Sequence, residues 1–233
     1  MSEKRSLPKL TPRLAMVASQ VRPGARLLDV GTDHAYLPAW LVGSGICPKA
    51  VASDVREGPC ARARATVQGY GLGDSISVVR ADGLEGHGLD EIDDIVLAGM
   101  GGELMLSILR QAPWVRQGRL RLILQPQTEL PLVRKTMAEW GFVLLGEFLA
   151  AEGHHLYHIM RFAYDGRSRI LDRAEMVFGH PRAGQDLLAR YYARQRASLM
   201  RELEGISRSA APNQQRMEEI RALLELLTKE EQA

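Results

Sequence analysis

The chain has 233 residues, of which 45% are hydrophobic, enough for one full-sized domain with an appendage. A formal charge of +2 does not demand a nucleic-acid partner, so any such partner must be argued from local clustering. The two cysteines, Cys47 and Cys60, form no CxxC pair, residues 1–9 carry no apolar signal-like run, and no stretch reaches transmembrane length, so the composition reads as a soluble cytoplasmic protein with no membrane partner.

Leu7, Leu10, Leu14, Val17 and Val21 fall at helical spacing and predict a leading amphipathic helix that stops at Pro23-Gly24. Short apolar runs at 26–30, 49–54, 75–80, 94–98 and 120–124 read as strands. Helical stretches at 57–70, 102–111 and 130–140 follow the second, fourth and fifth of them. A turn at 31–38 opens another helix that ends near Gly43. Strand alternating with helix, with strands apolar throughout, implies a parallel sheet covered on both faces. After Gly141 the pattern changes. Two strands, 142–149 and 155–164, are separated only by 150–154, which requires an antiparallel hairpin. Five parallel strands ending in a hairpin make a Rossmann-like α/β sheet of the methyltransferase kind. The predicted first domain is therefore 1–164.

From 165 to 233 the chain reads as a helical tail. Leu188, Tyr192, Leu199 and Leu203 mark one amphipathic helix, Pro212-Asn213 a turn, and Met217, Ile220, Leu224 and Leu227 a second helix. A short link between such helices predicts a coiled-coil hairpin.

In an open α/β sheet, ligands bind at the carboxyl ends of the strands. The segment after the first strand is Asp29-Val-Gly-Thr-Asp-His-Ala-Tyr-Leu-Pro38. A dinucleotide fingerprint needs glycine at positions 33 and 36, which hold Asp33 and Tyr36. A carboxylate there repels a pyrophosphate but favours a cationic sulfonium ligand, so the turn points to S-adenosylmethionine. A plainer reading makes Asp33 a helix cap. Asp54 ends the second strand, where an acidic residue takes ribose hydroxyls, and Asp82-Gly83 follows the third, within reach of an adenine amino group. Their plainer readings are a cap and a turn. Gly99-Met-Gly-Gly102 lets a ligand approach the backbone or simply makes a tight turn.

With these stretches in view, the sequence resembles the bacterial tRNA (adenine-22-N1)-methyltransferase family. The matching segments are 28–38, Ala81-Asp-Gly-Leu84, Leu97-Ala-Gly-Met-Gly-Gly102 and Leu122-Ile-Leu-Gln-Pro126, with the Arg13-Leu14 helix and the strand from Gly153 to Ile159. The resemblance implies S-adenosylmethionine as donor and N1 of an adenine in tRNA as acceptor, with the tail helping to hold tRNA. It places Gly31, Asp33, His34, Asp54, Val55, Asp82, Gly83, Gly99 and Met100 around the cofactor and target. Two departures stand out. Gln125-Pro-Gln127 replaces Gln-Pro-Asn, and Asp54 sits where members vary between Asp and Glu.

Adenine N1 carries a lone pair, so catalysis is expected from positioning and from stabilising positive charge on the ring. Asp33 is the candidate catalytic carboxylate and His34 the second catalytic candidate, able to hydrogen-bond the base or to orient Asp33, although a first-turn helix residue with no chemical role also accounts for it. His154, His155 and His158 lack a fourth ligand at suitable spacing, so no metal is expected. Arg190, Arg194 and Arg201 share a helical face and are the candidate tRNA contacts, although a solvated face also accounts for them. Arg62 and Arg64 allow the same two readings. No obligate protein partner is evident. The alternatives are a methyltransferase of the same fold with another substrate, or a module that binds without catalysis.

Overall fold

The computed structural model describes residues 7–209 and 211–230. Its centre is one eight-stranded sheet: β1 (Leu27–Val30), β2 (Ala50–Asp54), β3 (Ile76–Arg80), β4 (Asp94–Met100), β5 (Arg121–Pro126), β6 (Phe142–Glu152), β7 (His155–Tyr164) and β8 (Pro181–Arg182). Across the sheet they run β3-β2-β1-β4-β5-β7-β6-β8. The pairs from β3 through β5 are all parallel. β7 is antiparallel to both β5 and β6. The strand order reverses between β1 and β4, and the crevice at that switch point is where an α/β sheet takes its ligand.

Every residue of β1 is buried because helices cover both faces. One face packs under α1 (Pro12–Ala18), α2 (Tyr36–Gly43) and α3 (Glu57–Gly69), with Val17, Leu37, Leu41 and Val67 in the core. The other packs under α4 (Gly102–Gln111) and α5 (Leu130–Glu139), with Met105, Leu109, Val133 and Met137.

The leading helix is shorter than its apolar spacing predicts. Proline favours the first turn of a helix, and Pro12 stands there, with the Thr11 hydroxyl accepting from the Leu14 amide at 3.4 Å. Leu10 still packs on the core from outside the helix. The β6–β7 link is tighter than expected, only Gly153 and His154, because the strands extend to Glu152 and His155.

Beyond residue 165 come α6 (Arg173–Val177), α7 (Gln185–Ser207) and α8 (Gln214–Glu230). Arg216 bonds Glu202, and Arg196 bonds Thr228, so α7 and α8 run antiparallel. Phe178, Leu199, Ile220, Leu223 and Leu227 form their core. The tail is not simply appended. β8, past the expected boundary, pairs in parallel with β6 at the sheet edge, Glu147 opposite Pro181. The Arg134 guanidinium, on α5, donates to the carbonyls of Met176 and Val177 at 2.7 and 3.1 Å, and to the Glu147 carboxylate at 2.5 Å. His158 Nδ1 lies 2.6 Å from the same carboxylate, and the Tyr191 hydroxyl donates to the Phe178 carbonyl at 2.5 Å. Burial pushes the Glu147 carboxyl up, but His158 and Arg134 outweigh it and hold the group below its ordinary range.

Candidate active site

A cavity of about 440 Å³ opens over the carboxyl ends of β1, β2, β3 and β4. Each strand contributes the residues singled out in the sequence: Gly31 and Asp33 after β1, Asp54 and Val55 at β2, Asp82 and Gly83 after β3, Gly99 and Met100 at the end of β4. Leu104 and Ile108 of α4 close one side. Of the nine positions expected around the cofactor, eight line this cavity. His34 does not; its ring stacks on Tyr36, with centroids 5.2 Å apart, and Nε2 is 3.7 Å from the Asp33 carboxylate.

The turn after β1 is held in a conformation that most side chains avoid. Asp33 and Ala35 have φ of 49° and 54°, and Gly31 has φ 75°. A side chain at Gly31 would put its Cβ 3.0 Å from the Met100 methyl, so glycine keeps the cavity floor open. Strained backbone at two non-glycine residues in one turn is a mark of a functional segment. Beneath the turn lies Asp29, buried, with the Thr32 hydroxyl donating to it at 2.6 Å. Burial raises its pKa to about 6, against the opposing pull of the Thr32 bond and Arg13.

The cavity carboxylates differ in their engagement. Asp54 is buried, and its Oδ1 accepts at 3.0 Å from the amide of Arg56, the residue that precedes α3, so it braces the backbone just before that helix without capping it. Its place in the cavity wall leaves the second role open to it as well. Asp33 is exposed and paired with Arg62 of α3. Asp82 is exposed at the rim, where a neighbouring hollow lined by Gly83, Leu84, His87 and Trp114 continues outward.

A second polar group borders the cavity and was not assembled from the sequence. Arg13 Nη1 donates to the buried Gln125 Oε1 at 3.0 Å, its guanidinium lies 5.6 Å from the Tyr157 ring centroid, and its amide donates to Glu152 at 2.8 Å. These residues are up to 144 positions apart in the chain, so no spacing rule links them; the motif matches at Arg13, Gln125 and 153–159 were the only signal.

The tail arginines lean on the hairpin. Arg190 donates to the Gly153 carbonyl at 3.1 Å and Arg194 to that of His154 at 3.4 Å, while Arg201 is exposed further along α7. Among the described residues, no group of three metal-ligating side chains forms a site, and no helix is long and apolar enough to cross a membrane.

Comparison with known proteins places the chain in a family. Residues 10–160 match a family model described as a methyltransferase domain. Over 167 residues the chain is 36% identical to the tRNA (adenine(22)-N(1))-methyltransferase of Bacillus subtilis (strain 168), covering 69% of this chain and 70% of that protein. The chain belongs to the tRNA (adenine(22)-N(1))-methyltransferase family. Among solved structures, the B. subtilis m1A22 tRNA methyltransferase TrmK superposes with a TM-score of 0.77 at 28% identity, covering 96% of this chain and 99% of its own. Sp1610 of Streptococcus pneumoniae, solved in complex with S-adenosyl-L-methionine, superposes with a TM-score of 0.76 at 29% identity, covering 96% and 100%. Both cover nearly the whole chain, so the family's likeness extends through the helical tail.

Proposed function

We infer that the chain is an S-adenosylmethionine-dependent methyltransferase that modifies N1 of an adenine in tRNA. The observation that carries this reading is the cavity at the switch point, walled by three carboxylates in the turn chemistry of a family whose members methylate that atom.

The residues present fit the donor. Asp54, buried at the end of β2, is placed for ribose hydroxyls, and Asp82 with Gly83 for an adenine edge. Val55, Leu104 and Ile108 supply apolar wall for a flat ring. Negative groups around the cavity suit a ligand carrying net positive charge. Bound S-adenosylmethionine supplies an electrophilic methyl group whose transfer moves positive charge from donor to acceptor.

That direction of charge movement assigns roles to the chain's own groups. A carboxylate on the donor side favours the cation before transfer, and one on the acceptor side favours it afterwards. The role expected of Asp33 in stabilising the methylated adenine needs the acceptor side. Asp33 lines the same cavity as Asp54 and Asp82 and pairs with Arg62 on α3, which supports a place on the donor side. We therefore give Asp33 the task of holding the donor, with His34 as a neighbour of that carboxylate and not a wall of the cavity. Adenine N1 has a free lone pair, so no general base is required, and the chain's contribution is positioning.

The tail is proposed to hold tRNA. Arg190, Arg194 and Arg201 follow one face of α7, which starts at the hairpin bordering the site, so phosphates on that face would bring a nearby base toward the cavity. Methyl transfer from labelled S-adenosylmethionine tests the reading. Label is expected in unmodified tRNA and not in protein or small-molecule fractions; labelling confined to another fraction overturns it.

A further inference from the structure

The cavity described above accounts for a donor but not for the base that receives the methyl. N1 lies on the pairing edge of adenine, so a paired or stacked adenine hides it, and the base must leave its stack to react. It then needs a place beside the donor cavity.

A hollow of about 310 Å³ lies between the turn after β5 and the start of β7, lined by Pro126, Gln127, Leu130, His155, Tyr157 and Arg194, among others. It shares a wall with the donor cavity. The Gln127 amide donates to the Met100 carbonyl at 2.9 Å, and the Gln127 side-chain nitrogen lies 3.9 Å from where a Cβ on Gly99 would stand. Gly99 and Met100 line the donor side of that wall. The antiparallel register that sets Leu124 opposite Met160 brings the β5 carboxyl end and the β7 amino end together, so the hollow sits at the ligand-binding edge of the sheet.

Its lining has the composition that recognises a nucleobase. His155 and Tyr157 are two apart on β7 and share a face, their ring centroids 6.2 Å apart. Together they offer aromatic area of the kind on which a base stacks whatever its sequence context, with the Arg13 guanidinium lying against the Tyr157 ring. The Gln127 side-chain amide is exposed and makes no hydrogen bond to any described residue, unlike buried Gln125, which is occupied by Arg13 and the Pro126 carbonyl. An amide oxygen can accept from the exocyclic amino group of adenine, which is adjacent to N1, and so fix the pairing edge without covering the reacting lone pair.

We propose that this hollow holds the acceptor adenine, with Tyr157 and His155 as its stacking surface and the Gln127 amide as the reader of its amino group. The proposal rests on the tRNA methyltransferase reading. Arg194, which lines the hollow and bonds the His154 carbonyl, connects it to the arginine face of α7, so a phosphate track and a base pocket meet at one place.

The test uses the full chain and a tRNA carrying photoreactive 2-azidoadenosine at the acceptor position. Irradiation in the presence of S-adenosylhomocysteine is expected to cross-link segments 126–130 or 155–157, mapped by peptide mass. A cross-link confined to 33–36 or 82–87, or none to the two expected segments, overturns the pocket. Unmodified tRNA is run alongside: if the wild-type chain does not methylate it at all, the functional reading fails, whereas methylation with a misplaced cross-link sinks only the pocket. Two variants add a rate readout. Tyr157→Ala is expected to slow single-turnover transfer by about tenfold or more, and Tyr157→Phe to retain it, since stacking needs the ring and not the hydroxyl. With wild type, a purine ribonucleotide lacking the 6-amino group should react more slowly than adenine, in part because its N1 is the weaker nucleophile; in Gln127→Ala that difference should shrink to the intrinsic part while S-adenosylhomocysteine affinity is unchanged. An undiminished preference in Gln127→Ala rules out its reading role.

Discussion

Arg62 Nη2 lies 2.5 Å from Asp33 Oδ1, joining α3 to the strained turn after β1. Asp33 lines the proposed donor cavity, so a cation of the chain already competes with a cationic ligand for its carboxylate. Removing either partner should move donor affinity in opposite directions.

Asp33→Asn is therefore expected to weaken S-adenosylmethionine binding by about 3–10-fold, an effect moderated by solvent at this exposed site. Binding of S-adenosylhomocysteine, whose sulfur is neutral, should change less, and Arg62→Ala should tighten the cationic donor. Calorimetry with both ligands measures this. If Asp33→Asn leaves donor affinity intact and instead slows single-turnover transfer about a hundredfold, Asp33 stabilises the methylated ring after all.

Asp29 makes the fold sensitive to pH. Burial leads in raising its pKa from 3.8 to about 6, so the folded chain keeps a proton that the unfolded chain has released between about pH 4 and pH 6. Stability from this group is therefore lost as pH rises through that window, by about 3 kcal/mol in all. Asp29→Asn, which can still accept from Thr32, should flatten the slope and raise stability at pH 7 by about 1–3 kcal/mol. Denaturant unfolding across pH 4–8 checks it; an unchanged slope would mean that Asp29 is ionised in the fold throughout.

The buried Arg134–Glu147–His158 group should be costly to break. Glu147→Ala leaves Arg134 buried without its carboxylate and is expected to destabilise by about 3–5 kcal/mol. A chain cut after Asp165 should melt below the intact chain, because it loses β8 and the Met176 and Val177 carbonyls that satisfy Arg134. A chain cut after Gly184 keeps both and should melt higher than the shorter one. Calorimetry compares them, and equal melting of the two fragments would show that α6 and β8 do not support the sheet.

These contacts show where the sequence was legible. The strands of the parallel sheet and the cavity residues were readable because apolar runs mark strands and ligands gather at strand ends. Asp33, Asp54 and Asp82 were found that way. Arg134 and Glu147 were not, because 13 positions separate them and a charge inside an amphipathic pattern reads as solvated; only folding shows both at the sheet edge. α6 escaped for a related reason. It has just five residues, Arg173–Val177, and a capping box at Asp172 and Glu175 with little periodicity after it. Tyr191, buried against His158, stands beside the apolar stripe that was read through Tyr192.

The arginine face can be divided experimentally. Arg201→Glu should weaken tRNA binding and reduce the log–log salt slope by about 1, leaving donor affinity alone. Arg190 and Arg194 also hold hairpin carbonyls, so their replacement should lower both tRNA affinity and the transfer rate. Filter binding over a salt series, with single-turnover assays, separates the two effects. No change in slope for Arg201→Glu would remove it from the interface.

Every role assigned to the cavity and the tail presupposes methyl transfer to N1 of one adenine in tRNA. The most direct test incubates the full chain with unmodified tRNA and S-adenosylmethionine, digests the product under mild conditions, and identifies the modified nucleoside and its position by mass spectrometry. The result expected is 1-methyladenosine at a single position, lost when that adenine is replaced by guanine. Methylation only on an exocyclic amino group, on a different base, or on no nucleoside at all would contradict it.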